Sequence, residues 1–155
     1  MRAIEYFAPS SVKEAVSLLA EKGEAARVLA GGTDIIVQLN GRRRSADRLV
    51  DVKTVPEANV LEFSARKGLV VGAAVPCYRI YKEAAIARNY PGLVDSASII
   101  GSVQIQGRAT LAGNLCNAAP SADAVPSMVA LGGVAVVVGP QGTRRVPVEQ
   151  FCIGP

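Results

Sequence analysis

The sequence has no histidine and no tryptophan among its 155 residues, and it has only three cysteines. Without histidine, the chain holds no Ser–His–Asp triad, no Cys–His pair and no histidine-based zinc site. Cys77, Cys116 and Cys152 are too few and too widely spaced to hold an iron–sulfur cluster, and an odd number cannot all form disulfides. We therefore expect a cytoplasmic protein with reduced thiols, whose redox chemistry, if any, depends on a cofactor or a partner.

Aromatic residues make up only 5% of the chain, and 17 basic against 13 acidic residues leave a mild net charge of +4. The one dense basic patch, residues 42–44 with Arg48, has no aromatic residue between its arginines on which bases could stack. We therefore interpret it as a solvated face or a subunit contact and expect no nucleic-acid partner. No apolar run reaches the length of about 18 residues that a membrane span needs, so no span is expected.

The first third of the chain has the pattern of a small parallel βα layer. Ser11 and Glu14 have the spacing of a capping box, which predicts a helix after them. Apolar runs at 27–30 and 49–52 predict strands, and a further helix is predicted between them. Because helices and strands alternate here, we predict an N-terminal α/β lobe over residues 1–55.

The rest of the chain, residues 56–155, predicts a second lobe of α+β character. Apolar runs at 60–63 and 69–73 predict a hairpin, helical patterns follow, and a second hairpin comes last. The small-residue stretch at 107–122 has little periodicity and is predicted as a long loop, a kind of segment that is often functional. Because the sequence ends on turn residues without a closing element, we also expect the chain to be a fragment.

A glycine pair follows the first predicted strand, in the segment Ala-Gly-Gly-Thr-Asp at 30–34. Consecutive glycines permit positive φ and keep Cβ atoms away, so their amides can converge on one anion, and Thr33 adds a hydroxyl donor. The spacing matches neither the dinucleotide fingerprint nor a P-loop with its lysine. The segment is therefore either a phosphate-binding turn or a purely structural one.

A second donor-rich segment occupies residues 108–115 and begins with a cation, Arg108. Asp123 follows, and its carboxylate either accepts hydrogen bonds from a ribose-type hydroxyl or caps the next helix. Two such loops, one in each lobe, suit a long ligand with a diphosphate at its middle, such as FAD, held across a cleft. The alternative is a non-catalytic module that binds a nucleotide or another small anion at Gly31 and Gly32 alone.

Taken together, these segments resemble the FAD-binding medium subunit of the molybdenum hydroxylases, the xanthine dehydrogenase and carbon monoxide dehydrogenase family. The resemblance is carried by Ala-Gly-Gly-Thr-Asp at 30–34, Ile-Ile-Gly-Ser-Val-Gln-Ile at 99–105 and Thr-Leu-Ala-Gly-Asn-Leu-Cys-Asn-Ala-Ala-Pro-Ser-Ala-Asp at 110–123. It extends over essentially the whole chain. The fold it implies is a two-lobed α+β FAD-binding domain of the vanillyl-alcohol-oxidase type. Since members of the family continue past this point, the resemblance also implies that the C-terminal part of the second lobe and a following domain are missing.

The resemblance also implies a cofactor site. Residues 29–35 would wrap the diphosphate and adjoining parts of FAD, and residues 109–114 would form a second loop on the same cofactor. Asp123 matches an acidic residue that hydrogen-bonds FAD, and residues 100–101 match a segment near it. No catalytic and no metal-ligating residue is implied in this chain. The implied cofactor-binding residues are Leu29, Ala30, Gly31, Gly32, Thr33, Asp34, Ile35, Ile100, Gly101, Ala109, Thr110, Leu111, Ala112, Gly113, Asn114 and Asp123.

In such enzymes a molybdenum–pterin large subunit oxidises the substrate, and a small subunit with two [2Fe–2S] clusters passes the electrons to FAD and on to an external acceptor. The resemblance therefore implies an oxidoreductase subunit in a heteromeric complex, arranged as a dimer of heterotrimers. Two positions depart from the family pattern. Ala112 stands where a glycine is usual, and Gln106 stands where an arginine is usual.

Overall fold

A computed structural model describes residues 3–152. Its N-terminal part is a three-stranded parallel sheet with strand order β1-β3-β2. Parallel strands cannot be joined by a tight turn, and here helices make the connections. The predicted parallel βα layer is therefore confirmed. Its elements are β1 (Glu5–Phe7), α1 (Val12–Lys22), β2 (Ala26–Leu29), α2 (Ile35–Asn40) and β3 (Arg48–Asp51).

Helix α1 begins at the predicted capping residues. The Ser11 hydroxyl accepts a hydrogen bond from the Glu14 amide at 3.2 Å. The Glu14 carboxylate accepts from the amide of Ser10 at 2.8 Å, one residue earlier than in the usual capping box. The helix ends at Gly23, whose φ of +54° is a conformation that favours glycine.

Arg48 lies in β3 and is not part of a solvated basic face, because it is only 7% exposed. Its guanidinium donates to Glu5 Oε2 at 2.9 Å and to Glu21 Oε2 at 2.8 Å. It also donates to the Leu18 carbonyl at 2.9 Å. The side chain therefore ties the central strand of the sheet to β1 and to α1.

The second part of the described chain contains two antiparallel hairpins with six short helices between them, which confirms both predicted hairpins and the α+β class. Among residues 3–152, no helix is both long and apolar enough to cross a bilayer. The elements are β4 (Leu61–Ser64), β5 (Gly68–Val71), α3 (Cys77–Lys82), α4 (Ala84–Asn89), α5 (Pro91–Ile99), α6 (Val103–Gln106), α7 (Leu111–Asn117), α8 (Val125–Ala130), β6 (Val134–Gly139) and β7 (Gly142–Pro147).

The prediction of a long loop over 107–122 is wrong, because helix α7 forms within it. Alanine, glycine and asparagine hide the helical period, but Leu111 and Leu115 are spaced by four residues and are both buried. Their burial stabilises a helix that residue propensity alone does not indicate. The helix ends at Ala118, which has a left-handed φ of +50°.

The buried apolar residues form two clusters. The smaller one lies between α1 and the parallel sheet, and Ala74, which follows the first hairpin, also belongs to it. The larger one packs the helices of the second part together and includes Val75, Ile80, Leu93 and Ala109. Because Ala74 and Val75 are adjacent in sequence, the two clusters meet at the segment that leads into α3.

Candidate functional site

The first predicted loop leaves β2 at the buried residue Leu29 and packs directly against the second. A Cβ atom on Gly31 would lie 2.1 Å from the Arg108 carbonyl oxygen and 3.1 Å from the Ala109 Cα. Only glycine fits at this distance, because the neighbouring atoms belong to the backbone and cannot rotate away. Gly32 follows with a φ of +82°. The two segments that the sequence predicts to share a cofactor are therefore in contact.

The amides of the first loop are available to a ligand. Within residues 3–152, those of Gly31, Gly32 and Thr33 donate no hydrogen bond to the protein, although Gly31 is buried. Buried amides are almost always paired, so a run of unpaired amides in a half-buried turn fits an acceptor that is not part of the chain. The oxygens of a diphosphate are acceptors of this kind.

The carbonyl oxygens of the same loop are held by two cations. Lys53 Nζ donates to the Ala30 carbonyl at 3.2 Å, and Arg108 Nε donates to the Gly31 carbonyl at 3.2 Å. In a trans peptide the carbonyl and the following amide point in opposite directions. The amides of Gly31 and Gly32 therefore point away from Lys53 and Arg108. We call these two sides of the loop its amide face and its carbonyl face.

Lys53 is held in place by a buried carboxylate. Asp51 is only 4% exposed, and it accepts hydrogen bonds from Lys53 Nζ at 2.6 Å and from the Tyr6 hydroxyl at 2.6 Å. Burial raises the pKa of Asp51, but the hydrogen bonds from Lys53 and Tyr6 outweigh burial and hold it below its ordinary value. The hydrogen bond from the Tyr6 hydroxyl to the Asp51 carboxylate raises the pKa of Tyr6.

The second segment is the start of a helix rather than a loop. Thr110 is the N-cap of α7, and its hydroxyl accepts from the Gly113 amide at 2.9 Å. The Ala109 carbonyl accepts from the Cys77 amide at 2.8 Å, which fixes this segment to α3. The amides of Ala109, Gly113 and Asn114 donate hydrogen bonds within the described chain, to Ile105 and Thr110.

The remaining predicted positions lie around this second segment. Ile100 packs in the same buried cluster as Ala109 and Leu111, and Gly101 beside it has a φ of +59°. Asp123 is exposed and directly precedes Ala124, whose amide donates to the Asn114 side-chain oxygen at 3.1 Å. Its capping alternative is wrong, because α8 has Ala124 as its N-cap and no side-chain cap.

Two contacts at the site could not be seen in the sequence. Lys53 lies 23 positions from Ala30, and the two meet only because β2 and β3 pair in parallel with Leu29 opposite Asp51. Gln38 in α2 donates to the Asn117 side-chain oxygen in α7 at 2.8 Å and so links the helices that follow the two segments. Each contact depends on the folded topology, and no local signal indicates it.

All three cysteines are free, in agreement with the expected reduced thiols. Cys77 is fully buried, and burial raises its pKa to about 11, so it is a protonated thiol at neutral pH.

Among the described residues no group of three or more histidine, cysteine, aspartate or glutamate side chains could hold a metal ion.

Comparison with known proteins matches this arrangement to one family. The model for the FAD binding domain in molybdopterin dehydrogenase matches residues 2–155. The xanthine dehydrogenase FAD-binding subunit of Escherichia coli O157:H7 is 31% identical over 150 residues, which are 97% of this chain and 51% of that protein.

Solved structures agree with the sequence match. A carbon monoxide dehydrogenase from Hydrogenophaga pseudoflava that lacks the Mo-pyranopterin moiety matches with a TM-score of 0.92 at 30% identity, over 97% of this chain and 52% of that one. Quinoline 2-oxidoreductase from Pseudomonas putida 86 matches with a TM-score of 0.91 at 30% identity, over 98% of this chain and 53% of that one. The chain thus spans about half the length of the relatives it matches. On the match to residues 2–155, the chain belongs to the family of FAD-binding domains of molybdopterin dehydrogenases.

Proposed function

We propose that this chain binds FAD at the amide face of residues 30–34 and serves as the electron-transfer subunit of a molybdenum hydroxylase-type oxidoreductase. One observation carries the proposal. Gly31 packs against Arg108 and Ala109, so the two segments with family motifs adjoin, and the unpaired amides of the first are free for a diphosphate. Backbone amides that are held in place bind an anion without the entropic cost of ordering side chains.

Each part of the proposed site has a distinct task. The amides of Gly31, Gly32 and Thr33, with the Thr33 hydroxyl, would hold the diphosphate. Asp123 would accept a hydrogen bond from a ribose-type hydroxyl, since its carboxylate is exposed and no cap bond occupies it. The other residues of 29–35, 100–101 and 109–114 would line the cofactor. The division of the chain into lobes at 1–55 and 56–155 is part of this proposal.

Bound FAD would supply the electron transfer, accepting electrons from iron–sulfur clusters and delivering them to an external acceptor. The proposed partners are a molybdenum–pterin large subunit and a small subunit with [2Fe–2S] clusters, in a cytoplasmic dimer of heterotrimers. In support, relatives of this chain are named as FAD-binding subunits or medium chains of dehydrogenases. This chain's residues hold the cofactor, and substrate oxidation takes place in another subunit.

The proposal is tested on the protein purified together with its partner subunits. A flavin absorption band close to one FAD per chain is expected. Gly32→Val should abolish FAD retention, because Gly32 has a φ of +82° and a side chain there is strained. Gly113→Val should lower it independently, because a Cβ at this position lies 2.9 Å from the Thr110 hydroxyl oxygen.

Gly92→Val is the matched control, since nothing lies within 4 Å of a Cβ at Gly92 and its FAD content should equal that of the unsubstituted protein. Circular dichroism of all three variants separates loss of binding from loss of fold. Protein that stays colourless after FAD is added contradicts the proposal. A loss of binding for Gly32→Val alone would instead favour an anion-binding module that uses only the first loop.

A further inference from the structure

A cavity lies beside the carbonyl face of the first loop, and its lining includes Lys53 and Arg108, which hold the carbonyls of that loop. Its volume is about 280 Å³, close to the lower end of the range of about 300–1,000 Å³ that is usual for ligand sites. A space of this size suits a small molecule rather than a whole dinucleotide. It is lined by Lys53, Asn59, Ala74, Pro76, Tyr78, Arg79, Gly107 and Arg108.

The cavity has an excess of positive charge. Lys53 is paired with the Asp51 carboxylate at 2.6 Å. Arg79 and Arg108 donate to the carbonyls of Asn59 and Gly31 at 3.3 and 3.2 Å. Neither of these two arginines forms an ion pair with a carboxylate within the described residues. Two guanidinium charges in one cavity are therefore not neutralised by any carboxylate among residues 3–152.

Both arginines also keep donors to spare. A guanidinium has five N–H donors in a planar fork, and only one atom of each group is used here, Nη1 of Arg79 and Nε of Arg108. These bonds to fixed backbone carbonyls restrain the side chains, so less rotamer entropy is lost when a ligand binds. Paired forks of this kind match the oxygens of phosphate groups.

We propose that this cavity binds a small phosphate-bearing molecule whose two negative charges match Arg79 and Arg108. The site goes beyond the proposed FAD function, because the backbone amides that would bind FAD point away from Lys53 and Arg108. Arg108 contacts the first loop through the Gly31 carbonyl, so the two sites lie on opposite faces of one turn.

Inorganic pyrophosphate is the probe, titrated calorimetrically into the purified chain with its partner subunits, once with FAD bound and once without it. Binding is expected in both cases, with the flavin absorption spectrum unchanged. Arg79→Met should weaken pyrophosphate binding by about tenfold, since a charge-assisted hydrogen bond and a charge are lost. Arg79→Lys should restore part of the affinity.

Arg88→Met is the matched control, because Arg88 is exposed on α4, does not line the cavity, and loses the same charge. Its affinity for pyrophosphate should stay within about twofold of that of the unsubstituted protein. Equal weakening by Arg79→Met and Arg88→Met would mean non-specific attraction and overturn the site. Absence of binding, or displacement of FAD by pyrophosphate, would overturn it too. Protein that cannot take up FAD at all, but whose pyrophosphate binding is still weakened by Arg79→Met, contradicts only the proposed function.

Discussion

The two segments with family motifs look alike in sequence but differ in how their backbones are used. Residues 30–34 remain an open turn, in which the amides of Gly31, Gly32 and Thr33 donate to nothing within the described chain. Residues 109–114 enter helix α7, where Thr110 caps the Gly113 amide. Both are rich in small residues, but a side-chain hydroxyl caps an amide only in the second. A segment of small residues therefore indicates close packing of the backbone. The backbone amides that it leaves unpaired decide whether it can also bind an anion.

The largest effect is expected where the two segments touch. Gly31→Ala places a methyl group 2.1 Å from the Arg108 carbonyl oxygen, and the backbones must separate to admit it. We expect a loss of more than about 3 kcal/mol in the free energy of unfolding, together with loss of FAD binding. Chemical denaturation measures the first quantity and flavin fluorescence the second.

Gly92→Ala is the control for this change. A methyl group at Gly92 meets no atom within 4 Å, and the residue lies inside α5. Replacing a helical glycine by alanine should stabilise the protein by about 0.5–1 kcal/mol. Equal stability of the two variants would show that the segments are not in backbone contact.

A smaller effect is expected when Asp51, the buried carboxylate that pairs with Lys53, is replaced. Asp51→Asn removes the charge that pairs with Lys53 and should lower the free energy of unfolding by about 2 kcal/mol at neutral pH. The pKa of Asp51 is held below its ordinary 3.8, so its contribution is complete above that value. It is lost as the pH falls through the lower pKa of the folded state.

Thermal melts of both proteins between about pH 3 and pH 7 measure this dependence. The difference in melting temperature between the unsubstituted protein and Asp51→Asn should be constant above about pH 5 and should narrow below about pH 4. A gap that widens on acidification would mean that Asp51 is protonated in the folded state, and would remove the argument for its ion pair with Lys53.

The comparison also explains which features could be predicted from the sequence. The cap at Ser11 and the first hairpin depend on neighbouring residues, and local patterns predicted both. Helix α7 was missed because its stability comes from the burial of Leu111 and Leu115, and Leu111 packs in a cluster that other helices complete. Propensity carries no information about such burial.

The contacts around the site depend on topology rather than on spacing along the chain. The family motif predicted that residues 30–34 and 109–114 act together, but not that Gly31 touches Arg108. Nor could the position of Lys53 be predicted, since it requires the parallel register of β2 and β3. Contacts between residues so far apart are fixed only when the sheet and its helices pack.

The cap of the second segment should matter less than the contact at Gly31. Thr110→Val keeps the shape of the side chain but removes the hydroxyl that accepts from the Gly113 amide. We expect a loss of about 1 kcal/mol in the free energy of unfolding, and Thr110→Ser should restore most of it. FAD affinity should fall less than for Gly32→Val, because only the second segment is disturbed. An equal fall would mean that both segments supply comparable donors.

The smallest effect concerns the link between the helices that follow the two segments. Gln38→Ala and Asn117→Ala each remove one partner of the 2.8 Å hydrogen bond between α2 and α7, and each should cost about 1 kcal/mol in the free energy of unfolding. In a double-mutant cycle the two losses should not add, because the second substitution removes a group that has already lost its partner. Additive losses in the denaturation midpoints would show that this hydrogen bond does not couple the two helices.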